Sequence, residues 1–220
     1  SVCVNRNGER FVDEACSYDE FGAAMVADQQ RSGANTPCWL VFDATFRKNY
    51  TAGGFMPTAL MPDWLIPADN WDHYIFRADS LNALAAKIHV PTDALRRTVS
   101  NINAYARTGV DPEFGRGGNA YDRMFGDPGV TPNPCLGAIE TAPFYAVAIN
   151  LGDLGTKGGL KADAHARVVD GSGQPIPNLY AAGNNSGSPF GNLYPGAGGT
   201  IGPSMTFGFL AAEHSLSETG

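Results

Sequence analysis

Hydrophobic spacing divides the chain into a few helices and several short strands. Leu95, Val99, Ile102 and Ala106 recur at helical spacing through 92–108, and Leu81, Leu84, Ala85 and Ile88 do so just before them. Ser80 and Thr92 stand where N-caps belong, Gly109 supplies a stop and Val90-Pro91 joins the two runs. The pattern predicts a helical hairpin. A third helix is expected from Ser17 to Gln30, with Ser17 and Glu20 spaced as a capping box, an apolar face of Phe21, Met25 and alanines, and closure at Gly33 and Pro37. Trp39-Leu40-Val41-Phe42 reads as a buried strand, and Phe144–Ile149 as a β-rich run. Two hairpins are expected, one with arms 2–5 and 9–12 around Asn7-Gly8, the other around Gly171-Ser172-Gly173. Residues 111–134 carry turn formers without sustained periodicity and read as a long ordered loop.

The last third has a different texture. Residues 152–208 hold 14 of the 27 glycines, which places a boundary near 143–152. We therefore expect one domain over 1–145 and a second over 146–220, with α+β organisation in the first. In the second, Leu179-Tyr180-Ala181-Ala182 leads into Gly183-Asn184-Asn185, then a glycine-rich loop, then a helix from about Thr200. Strand, glycine turn and helix N-terminus form a device for holding an anionic or electron-rich group, because glycines allow close backbone approach and first-turn N–H groups point outward.

Composition narrows the classes. The 220 residues are 43% hydrophobic and 17% charged, which are globular values with enough apolar material for a core. Net charge is −7, and no Lys or Arg follows Arg167, so the glycine-rich part lacks the basic footprint of a nucleic-acid binder. Cys3, Cys16, Cys38 and Cys135 form no C-x-x-C pair and His73, His89, His165 and His214 are scattered, against zinc and thioredoxin-like chemistry. Buried free thiols are expected, which favours a reducing cytoplasm. No run approaches a membrane span, and no signal pattern opens the chain.

AAGN at 181–184 followed by YPGAGGTIGPSMTFGFLAA at 194–212 resembles the C-terminal flavin motif of the 3-ketosteroid dehydrogenases, members of the fumarate reductase/succinate dehydrogenase flavoprotein superfamily. VNRNGERFVDE at 4–14, PNPCLGAIETAPFYA at 132–146 and GDLGTKGGLKADAHARV at 152–168 extend the resemblance in family order. The resemblance implies FAD as cofactor and an α/β fold overall, with a substrate-side domain followed by the returning segment of a Rossmann-like FAD domain. The G-x-G-x-x-G turn that grips the pyrophosphate is missing: Gly115–Gly118 and Gly196–Gly199 both miss its spacing. The chain thus resembles a C-terminal portion, whose partner would be the N-terminal FAD-binding half of the same protein.

The resemblance also implies site residues. In the family a ring ketone is held by a tyrosine hydroxyl and a glycine N–H in a Y-P-G-x-G motif, which here gives Tyr194 and Gly198. The family base is a tyrosine after R-F-x-N-E, which here gives Tyr18, although Asp13 replaces the usual Asn and Ser17 the usual Pro. A tyrosine with an ordinary pKa near ~10 is a poor base at neutral pH, so it needs help; a helix start would contribute slightly. If base and anchor act together, both hydroxyls should line one cleft. Gly183 and Asn184 match the turn that approaches the cofactor, while Gly199, Thr200, Ile201 and Gly202 open the helix facing its pyrimidine edge. Met205 and Phe207 are expected in the core and Cys135 is expected buried. A fumarate-reductase-like enzyme is the main competitor, but Gly191–Pro195 offers Tyr194 where that branch carries a dicarboxylate-binding arginine. A dehydrogenase of another cyclic ketone, or a folded piece without activity of its own, are the further alternatives.

The missing pyrophosphate turn carries an expected outcome. The 220-residue chain purified by itself should be colourless; flavin absorbance co-purifying at a 1:1 ratio would contradict this.

Overall fold

The computed structural model describes residues 1–153 and 155–217. The chain divides into two compact units, Ser1–Leu151 and Gly152–Gly220. Each is described by itself.

The first unit is built on an antiparallel sheet of β1 (Val2–Val4), β2 (Cys38–Asp43), β3 (Ile75–Ala78) and β4 (Phe144–Ile149), in the order β1-β2-β4-β3. Trp39–Phe42, expected as a buried strand, lies in β2 between β1 and β4, with Val41 and Phe42 fully buried. Alternation along β4 splits the core in two, since successive side chains face opposite ways. Phe144 and Ala146 join Val2, Val4, Val41 and the helices on one face. Tyr145 and Val147 join Phe42, Ile66 and Ile75 on the other. β4 pairs along its whole length with β2 and over Phe144–Val147 with β3, and the first unit runs to Leu151. A division between 145 and 146 would cut that strand.

The helical hairpin is present as α3 (Leu81–Lys87) and α4 (Thr92–Thr108). Ser80 Oγ accepts the Ala83 N–H at 3.2 Å, a conventional N-cap. Leu95, Val99, Ile102 and Ala106 are all buried, and Gly109 closes the helix at φ 76° with its N–H on Tyr105 O at 2.7 Å. Thr92 departs from expectation: it is the first helical residue, and Pro91 occupies the cap position without a side-chain hydrogen bond. α1 (Tyr18–Ser32) starts at the Ser17/Glu20 capping box, where the Ser17 N–H and hydroxyl reach Glu20 Oε2 at 3.3 and 2.9 Å. Its buried face is narrow, comprising Met25 and Asp28.

The first expected hairpin is corrected. Gly8 does turn the chain, with φ +77° and its N–H on Asn5 O, but 9–12 is not a strand and β1 pairs with β2 instead. The fully buried Asn5 explains this. Its Oδ1 accepts the N–H groups of Asn7 and Glu9, and its Nδ2 donates to Asp28 at 2.9 Å, so these side-chain bonds take the place of a strand ladder. The 111–134 stretch is largely irregular but contains one short helix, α5 (Ala120–Met124), capped by Asn119. α2 (Ala44–Asn49) is the remaining α-helix of this unit among the described residues, and single-turn helices lie at Asp63–Leu65 and Ala68–Asn70.

The second unit contains the other expected hairpin, β5 (Arg167–Val169) and β6 (Pro175–Tyr180), turned at Gly173. The run leading into Gly183 is the end of β6 and its extension. A single-turn helix at Gly183–Asn185 and the long α6 (Ile201–Ser217) complete it. The expectation that Met205 is core fails: it is 69% exposed and Phe207 is half-buried, because a two-stranded hairpin has too little surface to cover a helix of this length. Among the described residues no helix is long and apolar enough to cross a membrane, and none of the four cysteines is in a disulfide.

Gly8 shows how tightly the first turn packs on α4: a Cβ there would lie 2.9 Å from Ala94 Cβ and from the Leu95 nitrogen. Gly8→Ala combines that clash with a left-handed backbone, and chemical denaturation should show a loss of about 2 kcal/mol. An unchanged midpoint would refute this account of the turn.

Candidate functional site

Tyr18 is the first residue of α1 and is 51% exposed. What holds it is a buried ionic cluster just upstream. Arg10 donates from Nε and Nη2 to the two Glu14 oxygens at 2.9 and 2.7 Å, and its Nη2 also lies 2.8 Å from Asp111 Oδ2. Arg116 Nη1 reaches Glu14 at 3.2 Å, and the Cys3 N–H donates to Glu14 Oε1 at 3.0 Å. Burial opposes ionisation of Glu14, but Arg116 and Arg10 override it and hold the carboxyl below its usual range. The R-F-V-D-E stretch therefore fastens the approach to Tyr18 to β1 and to the 111–116 loop.

Asp13, which stands where the family pattern has Asn, faces a second carboxylate. Burial first, and then the neighbouring Asp122, push its carboxyl up to about 6, against the Ala15 N–H bond and Arg116, which pull the other way. Asp122 is buried and accepts the Gly117 N–H at 2.9 Å. Cys135 is buried as expected: its thiol lies 3.2 Å from Asp122 O and burial pushes its pKa up, so it is not an activated nucleophile.

In the second unit Gly183 adopts φ +68°, and a Cβ on it would come 3.1 Å from Ser204 Oγ. The Gly183-Asn184 turn thus sits directly against the first turns of α6. Upstream of the helix, Gly196 and Gly198 have φ of 117° and 89°, the Gly199 N–H returns to Gly196 O at 3.0 Å, and the Gly202 N–H bonds Gly198 O at 2.8 Å. Among the described residues the Gly198 N–H makes no backbone hydrogen bond, so it remains a donor. Gly198, Gly199 and Gly202 line a shallow open depression of about 490 Å³, walled by Phe190, Pro195 and Phe207. Thr200 and Ile201 stand at the start of α6, whose first N–H groups lie ahead of the helix ladder.

This arrangement fits a flavin. The backbone is stripped of Cβ atoms where a planar ring would approach, and the positive helix end faces the same place. No second glycine turn of pyrophosphate spacing accompanies it. The model of the FAD binding domain family matches residues 1–201.

The chain belongs to the FAD binding domain family.

Among its relatives, the 3-oxosteroid 1-dehydrogenase of Mycobacterium tuberculosis H37Rv is 44% identical over the whole chain, which covers 39% of that protein. The 4-oxocyclohexanecarboxylate 2-dehydrogenase of Sinomonas cyclohexanicum is 41% identical over 97% of the chain, covering 36% of that protein. The crystal structure of the 3-ketosteroid Δ1-dehydrogenase of Sterolibacterium denitrificans, in complex with 1,4-androstadiene-3,17-dione, matches with a TM-score of 0.92 at 48% identity. It aligns with 99% of the chain, which covers 38% of that structure. The chain thus spans under two fifths of the length of these relatives.

Tyr18 falls in the first unit, and Tyr194 and Gly198 in the second with all six expected cofactor residues. Sequence reading gave no role to the Arg10–Glu14–Arg116 cluster. Its visible signal was the R-F-x-x-E spacing, but the Arg116 partner lies 102 residues from Glu14. Lys157, 37 positions before Tyr194, carries no local signal of a role, and its Nζ lies 4.3 Å from the centre of the Tyr194 ring.

Asp13 supplies a pH-dependent outcome. Its folded pKa lies above the unfolded value, so the native state binds the extra proton between about pH 4 and 6. Stability from this group is therefore present at low pH and lost as pH rises through about 6. Asp13→Asn should remove that slope and raise stability at pH 7 by about 1–3 kcal/mol, the upper end following from a carboxyl moved from 3.8 to about 6 and the lower from solvent screening at a partly exposed site. Denaturation curves at pH 4.5 and 7 check it; an equal effect at both would contradict the assignment.

Proposed function

We propose that this chain is the C-terminal part of an FAD-dependent dehydrogenase that introduces a double bond beside a ring ketone, with 3-ketosteroids as substrates and the 1,2-bond as the site of reaction. The observation that carries the reading is the free Gly198 N–H in the Tyr194–Gly198 turn, beside a helix start suited to a flavin. The steroid dehydrogenases among its relatives support it. In this reading the first unit, Ser1–Leu151, serves the substrate and the second returns to the FAD domain, completed by an N-terminal half of the same protein.

Bound FAD supplies the hydride acceptor. The chain supplies the rest. Gly183, Asn184, Gly199, Thr200, Ile201 and Gly202 hold the cofactor through the turn and the α6 start. Tyr194 donates its hydroxyl hydrogen bond to the ketone oxygen, and the Gly198 N–H donates to the same oxygen. Both bonds strengthen as that oxygen gains enolate charge, which acidifies the neighbouring C–H. Tyr18 receives the proton from that carbon. The apolar walls beside Gly198 suit a hydrocarbon ring and offer no cation for a dicarboxylate. A smaller cyclic ketone is the second reading, favoured by the likeness to the 4-oxocyclohexanecarboxylate enzyme. The four free thiols accord with a reducing, cytoplasmic setting.

In the full-length protein Tyr194→Phe should lower kcat about 10²–10³-fold while changing KM little, since one donor to a developing oxyanion carries that much and the apolar body of a steroid dominates ground-state affinity. Steady-state kinetics with a 3-ketosteroid and a reducible dye measures both. A near-normal kcat with only a raised KM would make Tyr194 a binding residue.

A further inference from the structure

The strip around Lys157 is fastened edge to edge against the loop that follows the Gly183 turn. Leu160 N–H donates to Asn185 O at 2.9 Å, Gly187 N–H to Leu160 O at 2.9 Å, and Ser188 N–H to Lys157 O at 3.0 Å. Only a glycine at 159 allows this approach, because a Cβ there would stand 2.4 Å from the Ser186 carbonyl carbon and 2.7 Å from Asn185 O. The backbone register so fixed brings the Lys157 ammonium over the face of Tyr194, 4.3 Å from the ring centre. Both residues are half-buried, and among the described residues Lys157 takes part in no ion pair. Its partner is the ring.

We propose that Lys157 is the positioning residue of Tyr194: its ammonium clamps the phenol ring and favours negative charge on the phenol oxygen, making the hydroxyl a stronger hydrogen-bond donor to the ketone. The inference rests on the reading of Tyr194 as the carbonyl anchor. A cation over an aromatic face is attracted by the ring quadrupole, and the attraction grows as the phenol oxygen gains charge. At a half-buried site, a unit charge 4.3 Å from the ring centre is worth about one pH unit in the tyrosine's titration.

The test uses the full-length flavoprotein labelled with [13Cζ]tyrosine, with Tyr194→Phe identifying the Tyr194 resonance. Lys157→Met should raise the titration midpoint of Tyr194 by about one pH unit and lower kcat about tenfold, with KM changed less than threefold. Lys157→Arg, which keeps a cation that stacks on rings, should retain both within about threefold. If the Met variant does not fold, as judged by its thermal transition, Lys157→Gln takes its place. An unmoved midpoint in the Met variant overturns the proposal, as does an Arg variant as impaired as the Met one. Loss of bound flavin with an unmoved midpoint also overturns it and makes Lys157 a cofactor residue. Failure of the underlying reading looks different: Tyr194→Phe would keep full kcat, removing the anchor role even where the titration shift is present.

Discussion

Buried charge on Arg10 constrains the first unit more than any apolar contact does. A guanidinium removed from water needs paired charge around it, and removing one partner leaves an uncompensated charge. Here Glu14 meets Nε and Nη2 in bidentate fashion, Asp111 meets Nη2 from the long loop, and the Phe114 ring covers the group at 4.9 Å, while Nη1 makes no hydrogen bond among the described residues and lies 3.6 Å from Glu113 Oε2. Glu14 is in turn shared with Arg116 and with the backbone of β1. Three stretches distant in sequence are therefore fixed to one point: the edge strand, the approach to α1 and the loop after α4. The position of Tyr18 follows from this, because only Ala15, Cys16 and Ser17 separate it from Glu14.

The second unit depends on a different constraint, the space left by missing side chains. Gly159 permits the 157–160 strip to pair with 185–188, and Gly183 lets its turn approach Ser204 on α6. Positive φ at Gly196 and Gly198 then shapes the loop so that an N–H is left as a donor. A unit with a two-stranded sheet and one long helix buries little apolar surface, so its form is set by backbone hydrogen bonds and close contacts more than by a core. α6 accordingly keeps Ile201, Met205 and Phe209 exposed within this unit.

Two chemistries meet in this superfamily, and local residues separate them. Recognition of a dicarboxylate needs a fixed cation, whereas recognition of a ketone needs a donor that responds to developing charge. In the proposed reading, Tyr194 with the Gly198 N–H would supply the second kind. Lys157 faces the Tyr194 ring.

The sequence by itself determined the elements whose information is local. The α4 stripe, the Ser80 cap, the Gly109 stop, the Gly173 hairpin and the start of α6 could be read from spacing and turn chemistry, because each depends on neighbours a few residues apart. The family motifs made the flavin readable as well. Local signals failed where long-range bonds competed with them. Asn7-Gly8 turned the chain as its residues demanded, but buried Asn5 committed its hydrogen bonds to the turn and to Asp28, and β1 took β2 as partner from more than thirty residues away. Tertiary structure alone set Arg116 on Glu14, Asp122 beside Asp13 and Lys157 over Tyr194. Each pairing joins segments through burial or through a backbone ladder, and neither leaves a periodic trace in the order of the residues.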